Sequence, residues 1–174
     1  MIDNLLIQSL TRFPAILRAV MAEVDDATLR RQGGADGAAW SIVEILCHLA
    51  DEEVEDFRTR LQLTLRDPKA DWPGIDPEGF ARSRGYQDQN PHEALDRFLR
   101  AREESLVWLA SLGDADWSRA KVHPRLGTLR AGDLLASWAA HDLLHLRQIA
   151  KRLYESVNAA AEPYETEYAG RWTA

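Results

Sequence analysis

Trp138-Ala-Ala-His141-Asp142-Leu-Leu-His145-Leu-Arg147-Gln148-Ile149 reads as an apolar helical stripe interrupted by two histidines. Leu134, Trp138, His141, His145 and Ile149 recur three or four residues apart, the period of one buried helix face. His141 and His145 therefore stand one turn apart on the side that should meet a core. Two imidazoles at this spacing can share a metal ion, as they do in helical zinc sites. Buried without a partner, their ring nitrogens would cost about 1–3 kcal/mol each. The competing reading is a hydrogen-bonded core pair, because H-x-x-x-H is a short motif.

A third imidazole lies in an earlier stretch, Ile45-Leu46-Cys47-His48-Leu49, again among apolar residues. Its helix has a marked start, since Ser41 and Glu44 form an S-x-x-E capping box. The period predicts a helix from Ser41 to about Arg66, with Ile42, Ile45, Leu46, Leu49, Phe57 and Leu61 inward. If this helix neighbours the one carrying His141 and His145, His48 faces the pair across the core. Three imidazoles would leave coordination positions open, the arrangement of catalytic rather than closed structural sites.

Two further helices complete the outline. One runs over about Thr11–Val24 through Ile16, Leu17, Val20, Met21 and Val24, with Pro14 expected in its first turn or at a kink. The other starts at Asn90, with Pro91 first and Glu93 completing a box, and closes at Gly113. The helix bearing the paired histidines should span about Thr128 to Tyr154, after a loop at Lys121–Gly127. Gln32–Gly37 reads as a loop from its three glycines. Four helices with apolar stripes most simply pack as a bundle, so the expected fold is all-α and the domain single over 1–174. An irregular segment is expected at about 67–89 and a tail after about 155, whose Tyr164, Tyr168 and Trp172 suggest docking.

Composition agrees. The chain has 174 residues, with 48 Leu and Ala against 21 Val, Ile and Thr, a ratio that favours helix over sheet. Its net charge of −7 repels phosphate backbones and no basic run opposes it, so nucleic acid is not an expected partner. The single cysteine, Cys47, has no internal disulfide partner, Asp3 stands where an export signal would carry positive charge, and no long uncharged apolar run follows. The expectation is a cytoplasmic protein with no membrane partner.

Trp40-Ser41-Ile-Val-Glu44-Ile-Leu-Cys-His48-Leu-Ala-Asp51-Glu52-Glu53 and His141-Asp142-Leu-Leu-His145-Leu-Arg-Gln148-Ile149, with their separation, resemble the DinB-like (DinB/YfiT-like) family of metal-binding four-helix bundles. The likeness extends from about residue 10 to residue 154. It implies a divalent metal, zinc or nickel, held by His48, His141 and His145. It also implies a small-molecule substrate and homodimers formed through helices. Family members with assigned activity are transferases or isomerases using low-molecular-weight thiols such as mycothiol or bacillithiol, and others are amide hydrolases. The expected function is therefore a metal-dependent thiol transferase. A metal-dependent hydrolase and a non-catalytic metal-binding scaffold are the alternatives.

Around the three histidines, Glu52 reads as a further ligand, a base or part of a solvated acidic face with Asp51, Glu53, Glu55 and Asp56. Gln148 is expected to orient water or cap packing. Asp142 takes the place of the glutamate in H-E-x-x-H, one methylene shorter, which weakens a peptidase reading. Arg82, Arg84 and Tyr86 are the candidates for substrate contact if the 67–89 segment covers the metal. Cys47 points about 100° away from His48 and is expected to be a small core residue. Trp40 reads as a staple before its cap.

Overall fold

The computed structural model describes residues 4–34 and 36–173. Asp3 and Ala35, which entered the readings of the amino terminus and the glycine loop, lie outside these residues. In chain order the elements are α1 (Asn4–Met21), α2 (Asp26–Arg30), α3 (Ile42–Glu52), a π-helical stretch (Glu53–Arg58) and α4 (Thr59–Arg66). They continue with α5 (Pro77–Ser83), α6 (Pro91–Ser111), β1 (Ala120–His123), β2 (Gly127–Arg130) and α7 (Ala131–Ala161). The all-α four-helix bundle is formed by α1, the continuous α3–π–α4 helix, α6 and α7. α1 packs mainly on α6 and α7, and α3–α4 packs on the same two, so the first and second helices of the bundle occupy diagonal corners, as do the third and fourth.

Local chemistry starts the helices where it was expected. Ser41 Oγ accepts from the Glu44 amide while Glu44 Oε2 accepts from the Ser41 amide at 2.8 Å, a complete capping box. Asn90 Oδ1 accepts from the amides of both His92 and Glu93, so this cap holds without a return bond from the Glu93 carboxylate. Gly113 follows α6 at φ 52°, a left-handed position that suits glycine.

Four expectations are corrected. α1 begins at Asn4 and carries Pro14 in its interior, with Leu10, Phe13, Leu17 and Met21 buried and Ile16 turned outward. The segment 67–89 contains α5, capped by Asp76 with Pro77 first, and a 3-10 turn at Tyr86–Asp88. Seven residues are too few to show a period, and the Asp-Pro start was the available signal. Residues Thr128–Arg130 belong to an antiparallel hairpin, Ala120 opposite Arg130 and His123 opposite Gly127, rather than to the last helix. That helix starts three residues later and runs to Ala161, and of the three tail aromatics Trp172 docks, its ring 5.5 Å from that of Tyr154. Tyr164 and Tyr168 are exposed.

The π-helical stretch follows directly on Glu52. Thr59 Oγ1 donates to the Val54 carbonyl at 2.6 Å, five residues back. The wider turn alters the phase of the helix after His48 and Glu52, bringing Glu53 into the bundle centre and Phe57 against Trp138 and His141.

Candidate metal centre

α3 and α7 are neighbours, and their imidazoles meet. One nitrogen each from His48, His141 and His145 can be chosen so that all lie within 4.8 Å of one another. His145 Nε2 stands 3.0 Å from His141 Nε2, and the His48 ring centroid is 4.6 Å from that of His145 and 5.4 Å from that of His141. Two nitrogens bound to one tetrahedral zinc would stand about 3.3 Å apart, so the spacing fits a shared ion. Among the described residues no other group of three His, Cys, Asp or Glu side chains has this geometry.

The electrostatics suit the donor set. Burial holds all three rings in the neutral form that ligates: His48 is lowered to about 3, His141 to about 2 and His145 to about 4, with neighbouring imidazoles adding to the effect on His48 and His141. His145 Nδ1 donates to Gln148 Oε1 at 2.8 Å, which leaves Nε2 as the lone-pair nitrogen facing His141. Gln148 thus orients a histidine, a more definite task than the sequence indicated.

His48 and His141 line a cavity of about 570 Å³ whose walls also include Trp40, Glu52, Glu78, Gln148, Lys151 and Arg152. Trp40, expected only as a staple, lies with its ring 4.9 Å from that of His48. Glu52 is buried on this cavity, its Oε1 3.9 Å from His48 Nδ1, and burial with the adjacent Asp56 pushes its pKa well up. It is not part of a solvated acidic face. Each of its acidic neighbours meets an arginine: Asp51 meets Arg84 and Arg97, Glu53 meets Arg102, Glu55 meets Arg84, and Asp56 meets Arg60.

Three other candidates are placed elsewhere. Asp142 is buried away from the imidazoles, with both oxygens on Arg102 at 2.7 and 2.9 Å. Burial raises its pKa to about 6 against the pull of Arg102, so it is ionised at neutral pH. Arg84 is bound to Asp51 and Glu55, and the Tyr86 hydroxyl donates to Asp51 in the interior, so neither faces the cavity. Arg82 is exposed and does not line it. The 67–89 segment does reach the cavity mouth, but through Pro77 and Glu78 at the start of α5. Cys47 is fully buried, its thiol 3.3 Å from Gln89 Oε1 and pushed up to about 11 by burial, as befits an unreactive core residue.

The sequence period puts Arg102 on the inward face of its helix with Leu95, Phe98, Leu99, Leu106 and Leu109 but gives it no role; in the structure it is buried and joins the four helices. Its five N–H groups make five hydrogen bonds: two to Glu53, two to Asp142 and one to the Leu10 carbonyl. Trp138 Nε1 adds a donor to Glu53 at 2.9 Å. An arginine within an apolar stripe (Leu95, Phe98, Arg102, Leu109) was the available signal.

Fold and site together define a helical bundle with three convergent histidines beside a cavity. The DinB superfamily model matches residues 9–149, and the chain belongs to that superfamily. The fold is similar to that of YfiT from Bacillus subtilis, described as a probable metal-dependent hydrolase with an unusual four-helix bundle topology. That likeness has a TM-score of 0.76 at 19% identity and covers 90% of each chain. No curated protein matches the sequence. No described helix is long and apolar enough to cross a membrane.

Proposed function

We propose that this protein is a metal-dependent enzyme acting on a small molecule, with His48, His141 and His145 holding one divalent ion, zinc or nickel. The reaction proposed is transfer of a low-molecular-weight thiol to an electrophile. The observation that carries the metal-dependent reading is the convergence of three neutral imidazoles, two of which, His48 and His141, line an open cavity. The thiol follows from the family resemblance. Bound there, the ion would supply Lewis acidity, lowering the pKa of a thiol or a water.

The chain's own residues divide the remaining work. Gln148 fixes the tautomer of His145. Glu52, buried on the cavity with a raised pKa, is placed to take and return the proton of an entering thiol. Trp40 and Pro77 give the cavity part of its apolar lining. The Arg102–Asp142 pair fixes α7 next to His141.

The second reading is hydrolysis. Glu52 beside the centre is equally suited to take a proton from water, and YfiT carries that assignment. An assay of zinc- and nickel-loaded protein against a panel of thiols and electrophiles separates the two. Thiol-dependent turnover that disappears in His145→Ala supports transfer, whereas thiol-free cleavage of amides moves the assignment to hydrolysis. Metal-loaded protein inactive in both assays would overturn the enzyme reading and leave a metal-binding scaffold. The other expectations, a cytoplasmic location and a homodimer, are carried by the sequence reading and the family resemblance alone.

A further inference from the structure

Arg152 lines the same cavity two turns beyond His145 on α7 and is 5% exposed. Seven residues along the helix correspond to an axial separation of roughly 10 Å on one face. Its Nη2 donates to Glu155 at 3.1 Å, whereas its Nε and Nη1, both buried, have no hydrogen-bond partner among the described residues. A guanidinium is charged at any physiological pH, and a buried charge with vacant donors is costly unless an acceptor arrives. The recess that holds it is shaped for the purpose. A Cβ on Gly33 would fall 1.4 Å from Arg152 Nη1, so only glycine leaves room for the guanidinium, although the Gly33 backbone itself is not left-handed. Gly33 is pinned there by paired backbone bonds with Ala39, whose neighbour Trp40 forms another cavity wall.

We infer that Arg152 is the anion subsite of the cavity, binding a carboxylate of the substrate while the reacting end lies toward the three histidines. A carboxylate fits better than a phosphate. Arg152 is already paired with Glu155, and Lys151 and Arg152 share the cavity lining with Glu52 and Glu78, so the site lacks the surplus positive charge that a dianion requires. This substrate class deepens the proposed function and rests on it only for the location of the reacting end.

The test is a titration of ¹⁵N-labelled metal-free protein with butyrate at constant ionic strength, following the Trp40 indole and Gly33 amide resonances. The parent shows saturable shifts. Arg152→Gln, which keeps a polar side chain but removes the charge, binds at least tenfold more weakly. Gly33→Ala, which displaces the guanidinium without neutralising it, does the same and serves if the first variant fails to fold. Absence of saturable shifts in the parent, equal affinity in both variants, or inorganic phosphate binding more tightly than butyrate would each overturn the assignment. Because no metal is present, Arg152-dependent butyrate binding in a protein that proves catalytically inert would sink the enzyme reading and leave the subsite standing. Turnover without any carboxylate response would do the reverse.

Discussion

Arg102 Nη1 donates to the Leu10 carbonyl at 3.1 Å, and that carbonyl is the one Pro14 leaves unserved. In an α-helix the amide of residue 14 would bond to the carbonyl of residue 10, but proline has no amide hydrogen. α1 therefore carries a proline in its interior, with the vacated acceptor satisfied by a guanidinium from α6. The same guanidinium binds Glu53 and Asp142 and lies 4.9 Å from the Phe98 ring centroid, so one side chain meets a defect in α1 and joins all four helices.

Replacing Arg102 by methionine should destabilise the protein by about 3–5 kcal/mol, since two buried carboxylates lose their partner. Urea denaturation measures it. Combining Arg102→Met with Glu53→Gln and Asp142→Asn should recover much of the loss. A single variant as stable as the parent would contradict the role given to this cluster.

Metal-free protein should lose stability as the pH falls from about 6.5 towards 4. Well above 6.5 the three histidines are neutral in both native and unfolded chains and contribute no pH dependence. Below it the unfolded chain takes up protons that the native site, with values of about 3, 2 and 4, refuses. Each histidine then costs up to about 1.4 kcal/mol per pH unit. Unfolding free energies measured across this range should fall less steeply for a variant with all three histidines replaced by glutamine.

Gln148→Leu should weaken zinc binding about 10- to 100-fold, because His145 loses the acceptor that fixes its tautomer. Chelator competition reads the affinity. Gln148→Glu, which retains an acceptor oxygen, should restore most of it, a rescue that a packing role alone would not produce.

Zinc at a hundredfold excess over its Kd should raise the unfolding free energy by about 2.7 kcal/mol, and chelation should reverse the gain. His145→Ala should show neither effect. Calorimetry with parallel elemental analysis checks both, and an unresponsive parent would return the histidines to a core-packing role.

The acidic run Asp51–Asp56 shows where reading along the chain stops. As sequence it is five carboxylates in six residues, equally consistent with a solvated face. In the folded molecule Glu52 lines the cavity while its acidic neighbours meet arginines contributed by α4, α6 and the turn after α5. The π-helical turn that separates Glu52 from Glu53 in space left no periodic mark. Arg84 and Tyr86 lie in the expected segment but turn inward to Asp51, a choice made by a partner 33 and 35 residues away.

What the chain determined by itself is what depends on neighbours within a turn or two. The Ser41–Glu44 box, the Asn90 cap and the shared face of His141 and His145 follow from helix geometry at three or four residues' separation, and that geometry is the same in any helix. Tertiary structure alone decided the rest: that Arg102 finds Leu10, Glu53 and Asp142, that His48 reaches the pair on α7, and that Arg152 lies over Gly33 with donors to spare. These contacts join residues separated by 40 or more positions, and they exist only because the packing of the bundle brings those faces together.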